Sequence, residues 1–114
     1  MISQYDVWIA DLNPQKGTES GKTRPVAIIQ TNLLNKANHF STLICPITTN
    51  VINQSSVLRV NLKKGYANLN EECDIMIDQI RSIDNTRLNK RVGKIPKNCI
   101  EQMKENILII LDLE

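Results

Sequence analysis

Val7-Trp8-Ile9-Ala10-Asp11-Leu12 and Pro25-Val26-Ala27-Ile28-Ile29-Gln30 are two short apolar runs flanking a polar stretch from Gln15 to Thr23. Asn13-Pro14 closes the first run as a turn signal. Pro25 opens the second, where a missing N–H is tolerated. The pair reads as two strands joined by a loop of about ten residues, long for a hairpin connection and of a size that often carries function. Gly17 and Gly21 are its flexible points, and Lys16, Glu19 and Lys22 its charges.

Working outward, Leu33 and Leu34 between asparagines suggest one helical turn, and Phe40 to Ile47 reads as a third strand ending in Thr48-Thr49-Asn50. A second polar loop spans Asn50 to Ser56. Val57 to Leu62 then alternates as a strand, with Leu58, Val60 and Leu62 on one face. Lys63 to Tyr66 turns the chain, Asp74 to Ile83 reads as one further strand, and a short strand is expected around Arg91-Val92-Gly93. Pro96 opens a helix whose apolar stripe is Ile100, Met103, Ile107, Ile110 and Leu111, with Glu101, Lys104 and Glu105 opposite. Five or six strands, long polar loops and one terminal helix predict a mainly β fold, a small barrel or curled sheet capped by that helix.

The composition narrows the chemistry. A chain of 114 residues has room for one core, so residues 1–114 are expected to form a single domain. Fourteen lysines and arginines against 12 acids leave a net charge of +2, which permits a polyanionic partner without demanding one. The longest apolar stretch, Ile107 to Leu111, is too short to cross a bilayer, and no signal segment opens the chain. Three widely spaced cysteines, Cys45, Cys73 and Cys99, form neither a metal-ligand pair nor a disulfide framework, so a reducing cytoplasm is expected. The single histidine, His39, excludes a two-histidine ribonuclease, a Ser-His-Asp hydrolase and a multi-histidine metal site. The four glycines make no phosphate-binding fingerprint. Any chemistry is expected to run without histidine, cofactor or metal.

Three blocks carry the functional signal. Asp11-Leu12-Asn13-Pro14-Gln15-Lys16-Gly17-Thr18-Glu19, followed after a short gap by Arg24-Pro25-Val26, resembles the first loop of the MazF/PemK/Kid family of bacterial toxins. Cys45-Pro46-Ile47-Thr48-Thr49 resembles the family's P-I-T-T strand end, and Asp78-Gln79-Ile80-Arg81-Ser82-Ile83-Asp84 its D-Q-I-R block. All three stand in the family's order, with Arg87-Leu88 and a terminal helix after them. The resemblance implies an SH3-like barrel of the MazF/PemK/CcdB type and a homodimer. It also implies sequence-specific cleavage of single-stranded RNA, usually mRNA, and inhibition by a cognate antitoxin with a disordered tail.

Matched residue by residue, the family's catalytic arginine falls on Arg24, its catalytic threonine on Thr48 and its loop glutamate on Glu19. Such an enzyme lets the ribose 2′-OH attack the neighbouring phosphate, leaving a 2′,3′-cyclic phosphate and a 5′-OH. Arg24 would stabilise the charge gained by the phosphoryl oxygens, and Thr48 would donate a hydrogen bond to one of them. Glu19 would either accept the 2′-OH proton or orient the loop. For RNA binding, Lys16 and Lys22 suit phosphates, Thr18 and Thr49 suit bases or sugars, and Gln79 and Arg81 stand in the third block.

Ser20, Thr18 and Met76 depart from residues that family members often carry, which leaves Asp78 a structural more than a catalytic candidate. Taken alone, Arg24 would be an ion-pair partner of Glu19 or Asp11, Thr48 an ordinary strand-end threonine, and Gln79 and Arg81 a solvated strand face. Two rival functions share the fold, a CcdB-like gyrase poison and a barrel that binds RNA or antitoxin without cutting. The gyrase poisons end in Trp-Gly-Ile, whereas this chain ends Leu111-Asp112-Leu113-Glu114.

Overall fold

The two apolar runs pair antiparallel, as expected. β1 (Asp6–Asp11) and β2 (Thr23–Ile28) are in register from Val7–Ala27 to Asp11–Thr23. In the computed structural model, which describes residues 1–19, 21–52 and 57–113, β2 begins two residues before Pro25. The proline is tolerated inside the strand because the ladder from β2 to β3 (Ser41–Thr48) starts only at Val26–Pro46 and runs to Ile28–Ile44. Between β2 and β3 lies α1 (Asn32–Lys36), the expected helical turn, capped by Thr31, whose side chain accepts the Leu33 N–H.

β4 (Arg59–Leu62), β5 (Cys73–Met76), β6 (Arg81–Asp84), β7 (Leu88–Lys94) and α2 (Lys97–Ile110) complete the chain. The sheet runs β4-β5-β3-β2-β1-β7, with β6 also on β3. The fold is therefore the expected mainly β architecture with a terminal helix, its ladders forming an open, curled sheet among the described residues.

The stretch expected as one strand from Asp74 to Ile83 is broken in two, and its register shows why. Thr48 pairs with Asp74 and Ile47 with Ile75, a register that would set Asp78 against Ile44. Instead Ile44 pairs with Arg81. The three residues displaced from the edge of β3 are taken up by the 3₁₀ turn Ile77–Gln79. Val57 and Leu58 likewise form a turn before β4, leaving Leu58 42% exposed while Val60 and Leu62 are buried. The polar loop expected from Asn50 to Ser56 lies partly outside the described residues.

Alternation along the strands supplies two cores. One face carries Val7, Ala27, Cys45, Ile47, Val60 and Ile75, packed against Cys99 and Met103 of α2. The expected stripe on that helix holds at Ile100, Ile107 and Ile110, whereas Leu111, past the helix end, is exposed. The other face carries Ala10, Leu12, Val26, Ile28, Ile44 and Ile83, flanked by Trp8 and Leu88. Gly93 in β7 is required by packing, since a Cβ there would lie 2.4 Å from the carbonyl oxygen of Ala67. Among the described residues no helix is long and apolar enough to cross a membrane.

Candidate active site

The loop between β1 and β2 folds back on itself through backbone and side-chain hydrogen bonds. Leu12 N–H donates to the Lys22 carbonyl at 2.9 Å, Lys22 N–H to Asn13 Oδ1 at 2.8 Å, and Glu19 N–H to the Lys16 carbonyl at 2.9 Å. Gly21 is pressed against Gln15, so that a Cβ on it would lie 2.5 Å from the Gln15 Cβ. This closed loop ends at Arg24, whose Nε–H donates to the Gly21 carbonyl at 2.9 Å. That bond leaves the terminal nitrogens of the guanidinium for another partner. Among the described residues Arg24 makes no ion pair with Glu19 or Asp11, the pairing that its isolated reading would require.

Strand parity puts Arg24 and Thr48 on one face of the sheet. The β2–β3 ladder stops at Val26–Pro46, because Pro25 has no N–H with which to extend it. Two residues beyond, in the same register, stand Arg24 and Thr48. Both share the parity of Val26 and Pro46, so both lie on the same face of the sheet at the same end. Thr48 is half-buried, and its Oγ1 accepts the Asn50 N–H at 3.1 Å. With its oxygen so engaged, the hydroxyl proton is available for donation. A half-buried guanidinium beside a hydroxyl donor, at a place where two strands cease to be paired, suits an oxyanion such as a phosphoryl group.

The remaining sequence candidates divide into groups. Lys16, Thr18, Glu19 and Lys22 are all exposed on the loop that leads to Arg24. Thr49 belongs to the opposite side, where it lines a cleft of about 530 Å³ with Ile9, Pro25, Glu71, Lys90 and Arg91. Arg81, paired with Ile44, is four residues from Thr48 along β3, roughly 13 Å at about 3.3 Å per residue. Gln79 is half-buried in the 3₁₀ turn between them, while its neighbour Asp78 is exposed.

No thiol competes as a nucleophile. Burial, followed by the charge of Asp78, pushes the Cys45 thiol up from 9.0 to about 12. Burial also raises Cys73, helped by Glu71, Asp74 and Glu72, and raises Cys99. His39 is half-buried and stacks on Phe40 with ring centroids 5.0 Å apart, away from the residues above. Among the described residues no three His, Cys, Asp or Glu side chains are grouped to hold a metal ion.

Comparison with known proteins follows this geometry. Residues 3–111 match the family model described as PemK-like, MazF-like toxin of type II toxin-antitoxin system. The chain belongs to that family. A relative, endoribonuclease MazF of Staphylococcus saprophyticus, is 32% identical over 99% of this chain and 93% of its own length. The Mycobacterium tuberculosis toxin MazF-mt6 superposes with a TM-score of 0.78 at 22% identity, covering 96% of this chain and 98% of that one. MazF from Deinococcus radiodurans gives 0.80 at 18% identity over 98% and 97%. The same organism's MazE–MazF complex gives 0.75 at 18% identity over 99% and 97%. These structures share the fold.

Two groups of residues in this MazF-like chain escaped the sequence reading. Arg87, in the turn before β7, donates from Nη1 to the Asp11 carbonyl at 3.0 Å and to the Asn13 carbonyl, clasping the base of the loop. Asp74, Arg59 and Asn61 form a polar cluster beside Thr48 within the sheet. An acid in the run Cys73-Asp74-Ile75-Met76, with an arginine in the strand before it, was the available signal.

Proposed function

We propose that this MazF-like endoribonuclease toxin cuts single-stranded RNA at specific sequences without a metal ion, leaving a 2′,3′-cyclic phosphate and a 5′-OH. The convergence of Arg24 and Thr48 on one face, where the β2–β3 ladder ends, is the observation that carries the reading. The 2′-OH attacks the adjacent phosphorus, negative charge builds on the non-bridging oxygens, and the bond to the 5′ oxygen breaks as that oxygen takes up a proton, for which Arg24 is the candidate donor. Arg24, tethered by Nε, presents its remaining N–H groups to that charge, and Thr48 donates its hydroxyl proton as a hydrogen bond. Glu19, exposed on the adjoining loop, is the candidate acceptor of the 2′-OH proton. Lys16, Lys22 and Thr18 bind the strand on this side, Gln79 and Arg81 engage nucleotides further along β3, and Thr49 contacts RNA from the opposite cleft.

The protein acts as a single cytoplasmic domain that pairs with a second copy of itself. Solved neighbours in complex with cognate antitoxins support a partner of the same kind here, with an acidic disordered tail laid over the cationic loop. The test is incubation of the purified protein with a long single-stranded RNA in EDTA, followed by mapping of the new ends. Discrete cuts with 5′-OH ends, absent with Arg24→Ala, are expected. RNA left intact across many sequence contexts refutes the cleavage reading and favours a non-cutting binder or a gyrase poison.

A further inference from the structure

Asp74 is 1% exposed in the middle of β5, between Cys73 and Ile75, both of which pack in the main core. A buried ion pair is weak support for stability, since apolar replacements of similar volume often hold a fold as well or better. The contacts of this carboxylate explain its presence differently. Its Oδ1 accepts from Asn61 Nδ2 at 3.1 Å, and its Oδ2 accepts from Arg59 Nη1 at 3.2 Å and from the Ile52 N–H at 2.9 Å. The same Arg59 Nη1 donates to the Asn50 carbonyl at 3.1 Å. The pair therefore grips the chain after β3 at two backbone points, one N–H and one carbonyl, two residues apart.

The gripped segment holds the Thr48 hydroxyl. Asn50, fixed through its carbonyl, donates its own N–H to Thr48 Oγ1. Asp74 is also the cross-strand partner of Thr48, so the cluster stands immediately beside that residue across the sheet. We infer that the buried Asp74–Arg59 pair is a positioning device for cleavage, fixing the turn Asn50–Ile52 so that the Thr48 hydroxyl faces substrate as a donor. Neither residue touches RNA in this role. The inference rests on the catalytic reading of Thr48 given above.

Asp74→Asn keeps the shape and removes the charge, and one of its amide N–H groups would face a donor where the carboxylate accepts. Single-turnover cleavage by this variant is expected to be slower by about tenfold, with RNA affinity within about twofold of the parent. In a Thr48→Ala background the same change is expected to cost less than about twofold, because the group it positions is gone. If Asp74→Asn does not fold by circular dichroism, Arg59→Met carries the same comparison, since it releases Asn50 while Asp74 keeps Asn61 and Ile52. A folded variant that cuts at the parental rate overturns the inference, as does an equal loss in both backgrounds. Parental cutting by Thr48→Ala alone overturns the reading of Thr48 itself, and with it this role for the pair.

Discussion

Gly21→Ala tests whether the loop is a mechanical support for Arg24. Gly21 is not among the glycines held at a left-handed φ, so the effect of alanine there is steric. The new Cβ would lie 2.5 Å from Gln15 Cβ and 3.1 Å from Gln15 Cα, against 3.4 Å or more for ordinary contact. The two segments must therefore part by about 1 Å, a displacement that can cost on the order of a hundredfold in rate when it reaches a catalytic group. It does reach one, because the Gly21 carbonyl holds Arg24 Nε. The loop is largely exposed, so the stability cost is expected to stay within about 1–3 kcal/mol. Single-turnover cleavage of a defined RNA, with a thermal melt of the same sample, separates the two effects. Removing the obstructing Cβ through Gln15→Gly in the same chain is expected to restore much of the lost rate. Parental cleavage by Gly21→Ala would refute the tether argument, as would failure of the Gln15→Gly double variant to recover.

Arg87→Ala frees the Asp11 and Asn13 carbonyls and is expected to slow cleavage about tenfold while lowering stability by about 1–2 kcal/mol, read by the same pair of assays. The Cys45 thiol gives a pH signature. Its folded pKa of about 12 lies above its ordinary 9.0, so above pH 9 the unfolded chain loses a proton that the folded chain keeps. Stability therefore falls as pH rises from 9 towards 12, by about 4 kcal/mol at full expression. Denaturant titrations of the parent and Cys45→Ala across that window check it, and equal slopes against pH would contradict it.

Much of the sheet could be read from residue order because period-2 alternation and turn residues are local signals. Val7 to Leu12, Pro25 to Gln30 and Phe40 to Ile47 announce β1, β2 and β3 to within two residues, and Pro96 announces α2. The break at Ile77–Gln79 was hidden, because all three residues continue a plausible strand pattern. Only pairing with β3 shows that three residues have no place in the ladder. Among the site candidates, Arg24 and Thr48 were named by motif, and strand parity sets both on one face of the sheet. Thr49, adjacent in sequence and similar in chemistry, stands in the bend just past β3 and opens onto another cleft.

The sequence by itself determined the mainly β class, the terminal helix, the family and the identity of the residues nominated for catalysis. Each is encoded in short runs, where turn chemistry, periodicity and motif spacing act over a few neighbouring residues. The tertiary structure decided which of those residues meet. It put Arg24 and Thr48 on one face just past the end of the β2–β3 ladder, brought Arg87 to the Asp11 and Asn13 carbonyls, and placed Asp74 beside Thr48. These placements relate residues between 24 and 76 positions apart, and no local signal specifies a pairing over that distance. They are fixed only when the strands align to bury their apolar faces, since a slip of one residue would turn every side chain to the wrong side.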